Sequence, residues 1–217
     1  MDFERRIHEA AQRLIPQRAN GGYPPLVTIF MRHPPVLVDD SWRPLTPLQI
    51  DPRLLEAATR IGRIAEILVI PSNTPHLFAG ELEEASGCNL LSIVDVTIEE
   101  LTRRKVERVG LLGLGVPQIY VERLESEGIA LRTATDGCRD RLDQAILRLM
   151  EGAAGAADHE AAHAAVEQLR SAEAGTILLG CTEIPLLLGE AAEAEDLVNP
   201  GALLAEAVVH AAMREED

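Results

Sequence analysis

Short apolar runs alternate along the chain with longer stretches in which apolar residues recur every three or four positions. The short runs are rich in Leu, Ile and Val, which is typical of buried parallel strands, and the longer stretches are typical of helices that cover such a sheet. This alternation predicts a series of βα units. The predicted strands are residues 26–31, 67–70, 89–94, 108–114, 130–133 and 176–179.

One helix can be placed from its apolar face and its end. Residues 139–151 put Leu142, Ile146 and Leu149 at spacings of four and three, which lie on one side of a helix. Gly152 follows, and glycine commonly ends a helix. This face is predicted to pack against the sheet.

Two predicted strands run directly into a short polar residue at the start of a helix. The first such elbow carries Ser72 and the second carries Cys181, one in each half of the chain. A unit that recurs in this way indicates two similar α/β lobes with largely parallel sheets. We expect the first lobe to comprise residues 1–97 with 197–217, and the second to comprise residues 98–196.

Composition and charge narrow the class of protein. The 217 residues are 47% hydrophobic and 25% charged, and 20 Lys and Arg against 35 Asp and Glu give a net charge of −15. A field of this sign repels phosphate backbones and anionic lipids, so neither nucleic acid nor a membrane surface is an expected partner. Because no run approaches the roughly 18 apolar residues of a membrane span and the first residues lack a signal-peptide core, a cytoplasmic protein is expected.

The cysteines and histidines suggest no metal site or disulfide framework. Three cysteines at wide spacing fit neither, and Cys88 and Cys138 lie outside both elbows and are interpreted as bystanders. His159 and His163 are four residues apart on a predicted helix and could hold a metal. The sequence suggests no third ligand, so an exposed helix face is the preferred interpretation.

The glycine run 110–115 resembles a dinucleotide-binding loop only superficially. Its spacing is GxxGxG, whereas the fingerprint is GxGxxG followed by an acidic residue in a fixed context. Close packing of a βα turn explains the glycines better, so no nucleotide cofactor is expected.

The two elbows are the places where chemistry is expected. In open α/β sheets ligands bind beyond the carboxyl ends of the strands, and the first turn of a helix offers free N–H groups. Such a position lowers the pKa of a thiol, so Cys181 is a candidate proton carrier with a pKa below the usual value of roughly 8.5. Two simpler roles remain open at this stage: Cys181 as a small buried residue and Ser72 as a helix N-cap.

A family resemblance gives these elbows a specific function. IPSNTPH at residues 70–76 and LLGCTEIP at residues 178–185 resemble the paired signatures of the aspartate/glutamate racemase superfamily, which read roughly P-C-N-T-x-H and G-C-T-E-[IL]. RVGLLGLG at 108–115 and VNPGALLAEAVV at 198–209 are also similar to segments of that family. The resemblance covers nearly the whole chain.

The resemblance implies two pseudo-symmetric α/β lobes with the active site in the cleft between them, no cofactor, a small carboxylate or amino-acid substrate, and frequent homodimers. In the family one cysteine from each lobe exchanges a proton with the substrate α-carbon. By position, Cys181 matches the second cysteine and Ser72 stands where the first is expected. The matching substrate-binding residues are Asn73, Thr74, Thr182 and Glu183.

The chain also departs from the family pattern. A serine hydroxyl is a much weaker acid than a thiol, so Ser72 is expected to be a poor proton carrier without help. The glycine-rich first strand of the family has no counterpart before MDFERRI, which would leave an open sheet edge beside residues 26–31 and favour self-association. Arg32 or Arg43 could replace the family's carboxylate-binding arginine.

Three functions follow as alternatives. The first is a cofactor-independent racemase or epimerase of a small acidic amino acid, with Cys181 as the main acid and base. The second is a single-cysteine, cofactor-free decarboxylase or isomerase of small dicarboxylic acids, in which the thiol protonates a carbanion. The third is a homologue that binds without turnover.

Overall fold

The structure, a computed structural model, describes residues 2–15, 24–31, 33–41 and 43–214. The chain divides into two units, one containing the residues up to Ile93 and those from Leu204 onward, the other Val94–Leu203. Each unit holds a parallel sheet accompanied by helices. The α/β fold with parallel sheets that the sequence predicts is confirmed.

The first unit contains a two-stranded parallel sheet. Its elements are α1 (Asp2–Leu14), α2 (Pro52–Ile61), β1 (Ile67–Val69), a 3-10 helix (Thr74–Phe78), α3 (Ala79–Ser86), β2 (Asn89–Leu91) and the part of α9 (Pro200–Arg214) from Leu204 onward. β1 pairs with β2 so that Leu68 lies opposite Leu90. Both of these side chains are buried, together with Leu82 of α3.

The second unit contains a four-stranded parallel sheet in the order β4-β3-β5-β6. The elements of the second unit are α4 (Ile93–Arg103), β3 (Arg108–Leu112), α5 (Gln118–Ser126), β4 (Ala130–Thr133), α6 (Asp136–Met150), α7 (Ala156–Ser171), β5 (Thr176–Leu179), α8 (Ile184–Leu188), a 3-10 helix (Gly189–Glu193) and β6 (Leu197–Val198). The first residue of α4, Ile93, belongs to the first unit, and the rest of this helix belongs to the second. The central strands β3 and β5 bring their carboxyl ends together, with Leu112 opposite Leu179.

The core of the second unit confirms the predicted helix face. Leu142 and Ile146 of α6 are fully buried, and Leu149 is partly buried against the same cluster. They pack with Leu169 of α7 and Ile177 of β5. Burying a side chain of this size stabilises a fold by roughly 1.5–3 kcal/mol. The position of β5 is thereby fixed from the helix side of the sheet.

The prediction of a strand at residues 26–31 is wrong. These residues form no strand, and the side chains of Val27 and Phe30 are 55% and 62% exposed. A strand needs a partner for its backbone hydrogen bonds, and the sheet of this unit consists of β1 and β2 within the described residues. The apolar composition alone therefore does not produce a strand here.

Three further boundaries differ from the prediction, and the smallest difference is that the predicted strand 67–70 ends at Val69. The predicted strand 89–94 ends at Leu91, because from Ile93 the buried positions Ile93, Thr97 and Leu101 recur every four residues and form α4. The predicted strand 108–114 ends at Leu112. The two-residue strand β6 was not predicted, since so short a run carries no periodicity.

The first unit also holds an apolar cavity of about 920 Å³. It is lined on one side by residues 24–31 and on the other by residues 64–72, with side chains of α1, α2 and α9 closing it. Ile64, at its margin, is 67% exposed. The apolar residues that the sequence suggests for a strand therefore line a cavity instead of a sheet.

Candidate active site

The elbow after β1 places Ser72 at the end of the first unit's sheet. The chain leaves β1 at Val69, and a tight turn follows in which the Ser72 N–H donates to the carbonyl of Ile70 at 2.8 Å. Pro75 then lies in the first turn of the 3-10 helix, where its missing N–H costs nothing. Ser72 is half-buried and lies at one end of the apolar cavity.

His76 holds this elbow in place. Its Nδ1 lies 2.9 Å from the carbonyl oxygen of Ser72, and its Nε2 accepts the backbone N–H of Ile93 at 3.3 Å. Since a backbone N–H always donates, Nε2 carries no proton and Nδ1 is the donor to Ser72. The imidazole is buried and neutral in this arrangement. It acts as a hydrogen-bonding bridge between the elbow and the start of α4.

Asn73 and Thr74 follow Ser72 directly. Asn73 has helical backbone angles and precedes the 3-10 helix, where its carbonyl accepts the N–H of His76 at 3.1 Å. Asn73 is half-buried and Thr74 is exposed. An amide and a hydroxyl are thus presented next to the Ser72 hydroxyl on one short turn.

The elbow after β5 carries Cys181 and depends on a glycine. The Gly180 N–H donates to the Leu112 carbonyl at 2.7 Å, which continues the pairing of β5 with β3. A Cβ at position 180 would lie 2.9 Å from that same carbonyl oxygen and 2.8 Å from Leu111 Cδ1. A side chain would therefore push the two strand ends apart. Glycine lets Cys181 emerge directly at the carboxyl end of the sheet.

The Cys181 thiol is hydrogen-bonded to a carboxylate. Cys181 Sγ donates to Glu183 Oε2 at 3.0 Å, and the Thr182 hydroxyl donates to the same oxygen at 3.1 Å. All three side chains are half-buried. The structure thus brings together the three residues that the sequence predicts at this elbow.

The expectation of a low thiol pKa is wrong for this state of the protein. Burial, and then the negative charge of Glu183, raise the pKa of Cys181 to about 12. The backbone N–H groups of Glu183 and Leu114 favour the thiolate, but the opposing effects prevail. α8 has five residues, too few for a substantial helix dipole. Cys181 is therefore held as a protonated thiol whose hydrogen is directed at Glu183.

The loop after the neighbouring strand β3 also influences the thiol. After β3 the chain passes through residues 113–117, and the backbone N–H of Leu114 in this loop lowers the pKa of Cys181, though less than burial and Glu183 raise it. The next residue, Gly115, has a φ of 62°, a left-handed conformation that favours glycine. Its N–H donates to Asp143 Oδ1 of α6 at 2.8 Å. Asp143 could not be predicted from the sequence. The spacing of apolar residues in α6 identifies the buried face of the helix but does not indicate which acidic residue beside that face contacts another element.

The residues interpreted as bystanders have structural partners. Cys138 is buried in the core of the second unit, and buried Cys88 donates to the Ala65 carbonyl at 3.1 Å. His159 Nδ1 lies 2.7 Å from the Leu187 carbonyl oxygen and His163 is exposed. In the described ranges no three His, Cys, Asp or Glu side chains are grouped so that they could hold a metal ion.

The remaining candidates lie away from any assigned chemistry. A Cβ on Gly110 would lie 2.9 Å from Leu169 Cδ1, and one on Gly113 would lie 2.2 Å from Pro117, so both glycines serve close packing. Arg43 is exposed and pairs with Asp39 at 3.3 Å. Arg32 lies outside the described residues. No helix in the described part of the chain is long and apolar enough to cross a membrane.

Comparison with sequence families gives one extensive match. The sequence model described as Asp/Glu/hydantoin racemase matches residues 3–208, nearly the whole chain. An uncharacterised protein from the pnlA 3' region of Pectobacterium carotovorum subsp. carotovorum is 28% identical over 111 residues, which are 50% of this chain and 73% of that protein.

Solved structures give the same result for the fold. A candidate Asp/Glu racemase from Yersinia pestis is 28% identical and superposes with a TM-score of 0.64, covering 75% of this chain and 73% of that one. An aspartate racemase homologue from Pyrococcus horikoshii is 23% identical with a TM-score of 0.62, over 75% and 74% of the two chains. Glutamate racemase from Francisella tularensis is 15% identical with a TM-score of 0.55, over 75% and 63%.

Proposed function

Because the chain belongs to the Asp/Glu/hydantoin racemase family, we propose that it is a cofactor-independent racemase or epimerase of a small acidic amino acid such as aspartate or glutamate. The observation that carries this proposal is the hydrogen bond from Cys181 Sγ to Glu183 Oε2. It joins a nucleophilic atom able to carry a proton to a group able to accept one, at the carboxyl end of a parallel sheet, where α/β proteins bind ligands.

In the proposed reaction Cys181 exchanges a proton with the substrate α-carbon. The thiolate takes the α-hydrogen as a proton, the electron pair of the C–H bond moves into the substrate carboxylate, and an enediolate-like species forms. A proton delivered to the opposite face of the carbon returns the electron pair to a C–H bond and inverts the centre. Ser72, directly or through water, is the proposed second proton carrier.

Forming the thiolate requires help from the substrate, since burial and Glu183 hold the pKa of Cys181 at about 12. An amino acid brings an ammonium group. A positive charge near Cys181 and Glu183 offsets the negative charge that opposes ionisation, so the pKa of the thiol falls and the thiolate forms at lower cost. This is a reason for preferring an amino acid over a simple dicarboxylic acid as substrate.

Hydroxyl and amide groups are proposed to hold the substrate carboxylate. Asn73, Thr74 and Thr182 can each donate a hydrogen bond to an oxygen on which charge develops in the transition state. Thr182 donates to Glu183 in the present structure, so this role requires its hydroxyl to turn toward the substrate.

Exchange of the α-hydrogen with solvent tests the proposal without assuming complete racemisation. The protein is incubated in D2O with each enantiomer of aspartate and glutamate, and deuterium at the α-carbon is measured by NMR. We expect exchange to be much faster from one enantiomer, because Ser72 is a weaker proton carrier than Cys181. Cys181→Ser should abolish exchange from both enantiomers, and Cys88→Ser, which changes a cysteine outside the elbow, should preserve it.

The variant Ser72→Cys distinguishes the proposed role of Ser72. A thiol at this position has an acidity closer to that of Cys181, so the rates for the two enantiomers should approach each other. Equal rates in the wild-type protein, or no exchange at all in folded protein with a free Cys181 thiol, would contradict the proposal.

One observation favours a second function. Only one of the two elbows carries a cysteine, which suits a cofactor-free decarboxylase or isomerase of small dicarboxylic acids, in which a single thiol protonates a carbanion. Release of carbon dioxide from a malonate-like acid, lost in Cys181→Ser and weakened in Ser72→Cys, would identify this function. If the folded protein shows neither exchange nor decarboxylation, a non-catalytic homologue is the remaining alternative.

A further inference from the structure

The apolar cavity of the first unit has the size and the lining of a small-molecule site. Its volume of about 920 Å³ lies within the roughly 300–1,000 Å³ that such sites usually occupy. Every described residue that lines it belongs to the first unit. All but four of these residues are apolar, and the four are Glu4, Thr28, Glu66 and Ser72.

Two walls of the cavity are held in place by the core. Ile7 of α1 and Val208 of α9 are buried in one core cluster, and Leu54 of α2 and Leu68 of β1 are buried in another. Side chains that are close-packed on their other sides do not move inward to fill a space. The cavity is therefore a property of the folded unit.

The third wall, residues 24–31, leaves apolar surface uncovered. Leu26, Val27 and Phe30 are 40%, 55% and 62% exposed, although each lines the cavity. Exposed apolar side chains gathered along one groove commonly mark a place where a ligand binds. An apolar tail in the cavity would cover these side chains, and burial of that surface would favour the complex.

The charges at the cavity select against an anionic ligand. None of the described residues that line it is Lys, Arg or His, whereas Glu4 and Glu66 carry carboxylates. A ligand carboxylate would lose its hydration there without gaining a cation as partner. An uncharged ligand avoids this cost.

One polar group at the cavity is available to the ligand. The Ser72 N–H donates to Ile70, and the Ser72 carbonyl is held by His76. The Ser72 hydroxyl, in contrast, makes no hydrogen bond within the described residues. A hydroxyl can donate one hydrogen bond and accept others, so it suits a neutral hydroxyl or carbonyl group on the ligand.

We propose that this cavity binds an uncharged molecule with an apolar tail and one polar end, such as a medium-chain aliphatic alcohol, whose polar end hydrogen-bonds to the Ser72 hydroxyl. The proposal goes beyond the proposed function, and binding of this ligand does not depend on catalysis. Because the ligand would occupy the Ser72 hydroxyl, it would also inhibit the proposed reaction.

A series of ligands of increasing length tests the proposal on the wild-type protein. Binding of 1-butanol, 1-hexanol and 1-octanol is measured by isothermal titration calorimetry, with octanoate as the charged counterpart of 1-octanol. Each buried methylene should lower the Kd about fourfold, so 1-octanol should bind about 16-fold more tightly than 1-hexanol. Octanoate should bind at least about tenfold more weakly than 1-octanol, because its charge has no partner.

Variants on one helix locate the binding site. Ala212 lines the cavity one turn after Val208, whereas Ala211, half-buried on the same helix, does not line it. Ala212→Phe fills the cavity and should weaken 1-octanol binding at least about tenfold, whereas Ala211→Phe should stay within about twofold of wild type. Ser72→Ala should weaken it about 2- to 10-fold, the effect of losing one neutral hydrogen bond. Circular dichroism checks that each variant is folded.

Four results would overturn the proposal. They are an affinity that does not rise with alcohol length, octanoate binding as tightly as 1-octanol, equal weakening in Ala212→Phe and Ala211→Phe, and 1-octanol binding that is lost as the protein self-associates. The last would make a second copy of the chain the occupant. The first two use only wild-type protein and decide the matter even if a variant does not fold. Absent α-hydrogen exchange in wild-type protein would contradict the proposed racemase function and leave the binding results unaffected.

Discussion

Cys181 and Glu183 form a hydrogen bond of 3.0 Å in which the thiol donates and the carboxylate accepts. Glu183 consequently has two opposite effects on Cys181. As an acceptor it can take the thiol proton, and as a negative charge it opposes the thiolate that remains.

Replacing Glu183 by glutamine should separate these effects. Glu183→Gln removes the negative charge that raises the thiol pKa, so Cys181 should ionise at a lower pH and react faster with iodoacetamide at pH 9. The same variant lacks a carboxylate base, so α-hydrogen exchange should fall at least about tenfold. Glu190→Gln, which changes an exposed carboxylate on the neighbouring 3-10 helix, is the matched control. A slower reaction of Cys181 in Glu183→Gln would contradict this account of the thiol pKa.

The raised thiol pKa should also appear in stability at alkaline pH. Below roughly pH 8.5, the usual thiol pKa, Cys181 is protonated in both the folded and the unfolded chain. Above it the unfolded thiol ionises while the folded one stays protonated up to about pH 12, so rising pH favours unfolding by about 1 kcal/mol per pH unit.

Comparing variants isolates the contribution of Cys181 to this loss. Between pH 9 and pH 10.5 the free energy of unfolding of the wild-type protein, measured with urea, should fall by about 1.5 kcal/mol more than that of Cys181→Ala. Cys181→Ser should behave like Cys181→Ala, because a serine hydroxyl does not ionise in this range. Parallel curves for all three proteins would show that the folded thiol has an ordinary pKa.

His76 is predicted to stabilise the first unit. His76→Ala leaves the Ile93 N–H without its acceptor and the Ser72 carbonyl without its donor, at a buried position, so the free energy of unfolding should fall by about 2–3 kcal/mol. His163→Ala, on the exposed side of α7, should change it by less than about 0.5 kcal/mol. Thermal or urea unfolding measures both. If His76→Ala lowers the free energy of unfolding no more than His163→Ala does, His76 does not stabilise the first unit as a bridge.

Self-association is predicted from the exposed apolar residues of the first unit. Phe30 and Ile64 are 62% and 67% exposed and line the apolar cavity. Exposed apolar patches commonly mark interfaces, and we expect a homodimer. Phe30→Ser with Ile64→Ser should weaken it at least about tenfold in sedimentation experiments, whereas Met150→Ser, 62% exposed on α6, should not. A wild-type monomer at micromolar concentration would disprove the prediction.

The sequence predicts those parts of the fold that are determined locally. Residues 130–133 and 176–179 are strands with the predicted limits, because each is a short segment that starts soon after a glycine and pairs with β3. Residues 26–31 are as apolar as residues 176–179 and are not a strand, since a strand also needs a neighbour. Composition reports that a segment prefers to be buried but does not report what is available to pair with it.

The same limit applies to the candidate site. Cys181, Thr182 and Glu183 are adjacent in sequence, so their proximity could be predicted, and their hydrogen bonds follow from it. The thiol pKa depends on burial by the whole unit and was therefore predicted in the wrong direction. Asp143 lies on α6, 28 residues after Gly115, and accepts the Gly115 N–H. Because the two residues are far apart in sequence, this contact exists only in the folded chain.

The close approach at Gly180 places a constraint on how this protein can evolve. Every other amino acid adds at least a Cβ, and that atom has no room beside the Leu111 side chain and the Leu112 carbonyl. By contrast, a Cβ on Gly137 meets open space. Selection can therefore change the proposed site residues Ser72 or Thr182 one codon at a time, but a lineage that loses the glycine before Cys181 loses the geometry of the thiol at the same step.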